Sequence, residues 1–199
     1  MLLDDGSSGP REVPGSAGRR TEHTAGDAFA LFRVDDRLLH GQVALAWGRA
    51  LAPRRFLLVD DALAGDPRSI QVYCLSAPEG TEVEIRSEAD FLGSFRAGPL
   101  DRARTVLLVR GIETAGRLLR DGVPGPVNLG GIHARVGSRE VLPYLHLLPA
   151  EERLILDLLA EGHRFFAQDL PNNPRRDPSG ILDVHASGET AGSGEGSHG

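Results

Sequence analysis

Phe29-Ala30-Leu31-Phe32-Arg33-Val34-Asp35-Asp36-Arg37-Leu38-Leu39-His40-Gly41-Gln42-Val43 changes character twice within fifteen residues. The apolar run Phe29 to Val34 has the length and composition of a buried strand. Asp35, Asp36 and Arg37 then make a polar loop that reaches His40 and Gly41. Beyond Gly41, the residues Val43, Ala44 and Trp47 recur at helical spacing, which predicts a helix over Gly41 to Leu51, closed by Pro53. A strand that feeds a loop and then a helix places that loop at the carboxyl end of a sheet, where open α/β proteins bind ligands. The helix start offers unpaired N–H groups and partial positive charge to an anion. His40 is therefore expected beside an anion site of phosphate size.

Outward from this stretch, strands and helices alternate. Phe56 to Val59 reads as a second buried strand running into Asp60 and Asp61. Asp66 and Pro67 supply an N-cap and a first-turn proline for a helix extending towards Ala77. Thr81 to Ile85 alternates as a strand near an edge, and Ser87 with Asp90 forms a capping-box pattern before a short helix. Thr105 to Val109 is the clearest central strand. An amphipathic helix follows over Glu113 to Asp121, closed by Gly122. Pro126 to Leu129 and Tyr144 to Leu148 read as short strands. A helix starts at Pro149 and stops at Gly162, and His163 to Gln168 is the last strand. The alternation predicts a three-layer α/β fold, with a mostly parallel central sheet and helices on both faces. Residues 1–27 and 172–199 are polar and rich in Gly and Ser, so both are expected to be disordered tails around a domain over 28–171.

Composition removes several function classes. The 199 residues carry a net charge of −6, which disfavours nucleic acid as a partner. All 22 basic residues are arginine. A Walker-A lysine and Schiff-base chemistry are thereby excluded. No run approaches the ~20 apolar residues that span a bilayer, and no signal-peptide core opens the chain, so a cytoplasmic protein is expected. Cys74 cannot form an internal disulfide and is expected as a buried thiol of the helix before Ala77. Trp47 is expected in the core.

His40 has the chemistry of a nucleophile towards phosphorus, with a general base as the functional rival. Arg37, three residues earlier, offers a planar fork to a phosphoryl group; the alternative is a salt bridge to Asp35 or Asp36. One of those carboxylates orients His40 or fixes Arg37 and the other caps the loop, rather than the two acting as a catalytic pair. Gly41 either lets an anion approach the backbone or is a simple turn glycine. Gln42 is a ligand or a helix-start side chain. Asp60 and Asp61 line the same edge or cap the next segment. Gly130 and Gly131 place a flexible loop there or are turn residues. No second histidine stands near His40 at a ligand spacing, so no metal is expected. His133 is expected as an exposed loop histidine. No role falls to His146 or His163, or to His23, His185 and His198 in the tails.

Arg33-Val34-Asp35-Asp36-Arg37-Leu38-Leu39-His40-Gly41-Gln42-Val43 resembles the active loop of the mannose/fructose/sorbose-family IIB subunits of the phosphoenolpyruvate-dependent sugar phosphotransferase system. Asp60-Asp61-Ala62-Leu63-Ala64 and Val127-Asn128-Leu129-Gly130-Gly131-Ile132-His133 resemble two further family segments. The likeness covers about Phe29 to Pro171 and implies the same α/β architecture. It implies that this is a phosphotransferase whose His40 carries a phosphoryl group on Nδ1, with Arg37 contacting that group. The implied partners are a IIA phosphodonor protein and membrane IIC/IID components that bind the sugar, with no cofactor. Homo-oligomerisation stays open. The alternative function is a regulatory phospho-acceptor module in which phosphorylation of His40 switches affinity for a regulator without sugar transport. Family members usually begin almost at the first strand, so the N-terminal extension departs from their pattern.

Overall fold

The computed structural model describes residues 28–98 and 100–182. The expected disorder of residues 1–27, and of the chain after 182 with His185 and His198, lies outside the described residues, as does His23.

Six strands form the central sheet in the order β3-β2-β4-β1-β5-β8, and every pairing is parallel. They are β1 (Leu31–Val34), β2 (Arg55–Val59), β3 (Glu82–Arg86), β4 (Thr105–Val109), β5 (Val127–Leu129) and β8 (Phe165–Ala167). All residues of β4 are buried, as expected of the central strand, while β3 lies at the edge. Side chains alternate across the sheet. Phe32, Val34, Leu107 and Val109 face a core closed by α4 (Glu88–Ala97), α5 (Ile112–Arg120) and α6 (Pro149–Ala160). Leu31, Phe56, Leu58, Val106 and Leu108 face the helix after β1 together with Tyr73 of α3 (Pro67–Ser76). Strands β2 and β4 lie on one side of β1, and β5 and β8 on the other. The chain therefore reverses its direction of winding at β1, and a crevice at such a switch point is the natural ligand site of an open α/β sheet.

Local signals placed most elements. Asp66 caps α3 by accepting the Arg68 N–H at 3.0 Å, and Pro67 opens the first turn. Ser87 caps α4 by accepting the Asp90 N–H at 3.1 Å. Gly122 and Gly162 follow α5 and α6 at φ 89° and 94°, where a Cβ would be strained.

Four expectations need correction. The helix after β1 is not regular: Val43–Trp47 is a π-helical turn that runs into α1 (Gly48–Leu51). The wider turn keeps Val43, Ala44 and Trp47 all on the buried side. Tyr144 to Leu148 does contain a strand, β7 (Leu145–Leu147), but it pairs antiparallel with an unforeseen β6 (Arg139–Leu142) in a separate two-stranded sheet. Cys74 is exposed, because α3 has no buried residue at all. Finally, the chain does not leave the domain at 172. Arg176 exchanges backbone hydrogen bonds with Ala167 at 2.9 and 3.0 Å, and Leu182 is buried in the core.

A polar seam crosses this apolar sheet. Arg33, 3% exposed, lies opposite Asn128 in the β1–β5 register and donates to its Oδ1 at 2.6 Å and to the Gln168 carbonyl at 3.0 Å. Its Nε and Nη2 donate to Asp35 Oδ2 at 3.1 and 2.8 Å. Burial lowers the pKa of the guanidinium from its ordinary value, and the charge and hydrogen bond of Asp35 oppose that shift. A Cβ on Gly130 would lie 2.0 Å from Arg33 Cζ, so only glycine leaves room for the buried cation.

Two outcomes follow for stability. A chain ending at Pro171 loses the burial of Leu182, worth about 2 kcal/mol, and at about 2–4 °C per kcal/mol in a domain of this size should melt roughly 4–8 °C below a chain ending at Leu182 in calorimetry. Gly130→Ala should lower stability by about 3–5 kcal/mol, the usual cost of breaking a buried ion pair, read from the urea unfolding midpoint. An unchanged midpoint would show that the guanidinium has another place to go.

Candidate functional site

The β1 strand ends at Val34, and the two aspartates that follow point to different places. Asp35 turns inward and is fully buried. Arg33 occupies its Oδ2, while its Oδ1 accepts the Arg37 N–H at 3.2 Å and lies 3.8 Å from His40 Nδ1. A Cβ on Gly131 would come within 3.0 Å of the same carboxylate. Asp36 reaches across to the loop after β5. Its Oδ2 accepts the His133 N–H at 2.7 Å, and its Oδ1 lies 2.7 Å from His133 Nδ1. The Asp36 N–H donates to the Gly131 carbonyl at 2.8 Å. The loop is thus fastened from beneath by Asp35 and from the side by Asp36.

Between these anchors the chain makes a tight turn. The Leu38 N–H donates to the Asp35 carbonyl at 2.9 Å, and Leu38 adopts φ 55° with its side chain fully buried. A branched residue in the left-handed region is strained. The turn brings Arg37 and His40 together on the half-exposed upper surface: Arg37 Nη2 donates to His40 Nε2 at 2.8 Å. His40 Nδ1 lies 3.1 Å from the Leu38 carbonyl, which can only accept. A guanidinium can only donate. Both contacts are satisfied by the neutral imidazole with its proton on Nδ1 and its lone pair on Nε2. In that tautomer the Arg37 fork points at the Nε2 lone pair and Nδ1–H points at the Leu38 carbonyl.

The remaining residues of the sequence pattern divide between support and surface. Gly41 and Gln42 are exposed in the first helical turn, where N–H groups have no intrahelical acceptor. A Cβ at Gly41 would meet nothing within 4 Å, so no steric need for glycine exists there in this state. Asp60 caps α2 (Asp61–Ala64) by accepting the Leu63 N–H at 2.9 Å, and its other oxygen accepts Arg110 Nε at 2.7 Å. Asp61 accepts the Glu88 N–H at 2.7 Å. Asp60, Asp61, Glu88 and Arg110 line a cleft of about 260 Å³ at the same sheet edge. Gly130 and Gly131 make room for Arg33 and Asp35 rather than forming a flexible loop. Arg37 bonds His40 rather than making a salt bridge to Asp35 or Asp36. His133 is exposed, as expected, but it holds Asp36.

Sequence reasoning missed Arg33, Asn128, Gln168 and Arg110. For the first two a signal existed, since each is an isolated polar residue inside an apolar strand run, and the register places them opposite one another. Arg110 gave none. It donates Nη1 to the Asp36 carbonyl at 2.7 Å and so links Asp60 to the loop of Arg37 and His40. Burial is the largest influence on Arg110 and would lower its pKa, but the hydrogen bond and charge of Asp60 carry it above its ordinary value. Among the described residues, no group of His, Cys, Asp and Glu side chains is placed to hold a metal ion, and no helix is long and apolar enough to cross a membrane.

Comparison with known proteins gives the same family as the loop motif. The family model described as PTS system sorbose subfamily IIB component matches residues 29–190. The N-acetylgalactosamine-specific phosphotransferase enzyme IIB component 2 of Escherichia coli (strain K12) is 25% identical over 150 residues, which are 75% of this chain and 95% of that protein. The mannose-specific EIIAB component of the same organism is 31% identical over 114 residues, 57% of this chain and 35% of that longer protein. The crystal structure of manxB from Thermoanaerobacter tengcongensis has the same fold, with a TM-score of 0.70 at 24% identity over 78% of this chain and 95% of that one. With the family model matching most of its length, the chain belongs to the sorbose-subfamily IIB components of the sugar phosphotransferase system, which are phosphoryl-transfer proteins.

Proposed function

We propose that His40 accepts a phosphoryl group from the phosphohistidine of a IIA partner and passes it to a sugar bound by membrane IIC/IID components, on the cytoplasmic side of the membrane. What carries the proposal is the 2.8 Å hydrogen bond from Arg37 Nη2 to His40 Nε2 on an exposed loop at the sheet's carboxyl edge. An uncharged imidazole is a nucleophile, and the guanidinium beside it can contact the equatorial oxygens of a phosphoryl group in flight. The first N–H groups of the helix at Gly41 and Gln42 offer further donors to the same group. In the transfer, the P–N bond to the donor histidine breaks as a P–N bond to His40 forms, so the donor imidazole recovers its lone pair.

Transfer to Nδ1, the nitrogen the family resemblance implies, has a structural requirement. The Nδ1–H bond to the Leu38 carbonyl and the Arg37 Nη2 bond to Nε2 must both break, so that the proton moves to Nε2 and the Nδ1 lone pair and the guanidinium are free to meet the phosphoryl group. Phosphorylation is then coupled to a change in the loop, with the strained Leu38 as the residue whose backbone has most to gain. The ring keeps 19% of its surface open on a loop at the sheet edge, so no deep cleft has to admit a donor as large as a protein.

Two measurements test this. Incubation with phosphorylated IIA partner should give an acid-labile, alkali-stable phosphoprotein. His40→Ala should abolish that label while leaving the circular dichroism and melting curve intact. Label persisting on the alanine variant, at His133 for example, removes His40 from the role. Arg37→Gln should slow single-turnover transfer by about 10²–10³, the usual cost of removing one transition-state donor, while calorimetry finds affinity for the unphosphorylated partner within a few-fold. Arg37→Lys should recover part of the rate, since it keeps the charge and loses the fork. An equal loss of rate and affinity would make Arg37 a docking residue.

A further inference from the structure

Beneath the loop, three charged or ionisable groups stand in line: Arg33, Asp35 and His40. Asp35 has no exposure to water, and its two oxygens have different neighbours. Oδ2 takes both Nε and Nη2 of Arg33, and Oδ1 faces the imidazole across 3.8 Å. A buried carboxylate at that distance from a histidine draws a proton onto the ring, and an imidazolium has no lone pair with which to attack phosphorus. The geometry therefore contains a conflict. The loop needs Asp35, which fixes the Arg37 backbone at 3.2 Å, yet the chemistry needs a neutral ring.

We propose that Arg33 is a positioning residue for phosphoryl transfer: its guanidinium neutralises Asp35 from behind, so that the carboxylate holds the loop in place without fixing His40 as an imidazolium. Several features serve this placement alone. Asn128 and the Gln168 carbonyl take the donors that Asp35 does not use, and Trp47 lies 5.8 Å from the guanidinium carbon, against its face. Trp47 is itself pinned by its Nε1–H to the Asp169 carbonyl at 3.0 Å. Gly130 leaves the space that the guanidinium fills. Arg33 is buried beneath the loop and lies behind Asp35, so it acts through Asp35.

The inference rests on His40 being the acceptor, and one measurement does not depend on that. In the full chain, the proton uptake of the His40 imidazole is followed by NMR across pH in the wild type, Arg33→Met, Arg33→Lys and Arg33→Met/Asp35→Asn. The other charged groups at this end stay the same in every variant: Arg37 on the far nitrogen, the Asp36–His133 pair with Arg110, and Asp169 beyond Trp47. Arg33→Met should raise the midpoint by about one pH unit or more, the effect expected of an unopposed carboxylate at this distance. Arg33→Lys and the double variant should titrate close to the wild type. The acid limb of the pH–rate profile for transfer from phosphorylated IIA should move with the midpoint, whereas a purely structural defect would lower the rate equally at all pH values. A folded Arg33→Met whose His40 titrates as in the wild type overturns the proposal. Should Arg33→Met not fold, the Arg33→Met/Asp35→Asn double variant, which removes both charges, carries the test against the wild type. Its midpoint should stay close to that of the wild type, and a fall of about one pH unit or more would show that the Asp35 charge reaches the ring unopposed and overturns the proposal. If label persists on His40→Ala while the titration shifts as expected, the acceptor assignment fails and the Arg33–His40 coupling stands.

Discussion

The structure around the loop of Arg37 and His40 depends on one buried ion pair, Arg33 with Asp35. Placing two charges inside an α/β sheet is costly unless each finds further hydrogen bonds, because the surrounding side chains and backbone replace water only where they supply partners. That requirement reaches far along the chain. Asn128 must lie opposite Arg33 in the β1–β5 register, and the chain after β8 must bring the Gln168 carbonyl to within 3.0 Å. Gly130 and Gly131 must have no side chains where the guanidinium and carboxylate come to rest. Residues 33, 35, 128, 130, 131 and 168 thus form one unit, and it sits directly under the loop that carries Arg37 and His40.

The adjacent carboxylates Asp35 and Asp36 have opposite surroundings and separate tasks. Asp35 is sealed from water and bonded to the strand below, whereas Asp36 is partly exposed and bonded to His133 and the next loop. Arg110 adds a third tie, from the Asp36 carbonyl to Asp60 at the start of α2. A short loop fixed at three points holds Arg37 and His40 in a defined geometry, which is what the group transfer proposed for this loop requires. The strain in this arrangement is concentrated at Leu38, between the anchors and the histidine.

A chain without lysine assigns every cationic task to arginine, and the structure uses the guanidinium's geometry repeatedly. Arg117 binds Glu88 through Nε and Nη2, and Arg120 binds Glu161 in the same way, joining neighbouring helices across the surface. The buried carboxylates of Glu151 and Glu152 at the start of α6 are met by Arg135 and Arg139 from the β6–β7 region. A planar fork with several fixed donors can satisfy a carboxylate taken out of water, where a single ammonium would leave lone pairs unmet. The small hairpin is thereby fastened to the domain by charge as well as by the burial of Leu145 and Leu147.

How much of this was legible in the sequence follows from the range of each interaction. Signals acting within a few residues were readable in advance: the apolar run of β4, the Asp66 cap with Pro67, the Ser87 cap, and Gly122 and Gly162 at helix ends. The loop motif likewise placed His40 and Arg37 three residues apart, so one turn could join them, and the family followed from that motif. What acts between distant segments was not readable. Arg33 and Asn128 are 95 residues apart, and only strand register puts one opposite the other. Gly130 looked like a turn residue because its reason, the side chain of a residue on another strand, is absent from its own neighbourhood. Cys74 was misplaced because a helical apolar pattern tells nothing of whether a helix is packed on one side or left open. Polar residues from Asn172 onwards hide the backbone pairing of Arg176 and the return of Leu182 to the core. Most helices and strands of the main sheet, and the polar character of the loop at Asp35 to His40, could be read from the chain alone, because they rest on local signals. Tertiary structure alone decided which charges meet inside the sheet, because burial and pairing belong to the whole fold.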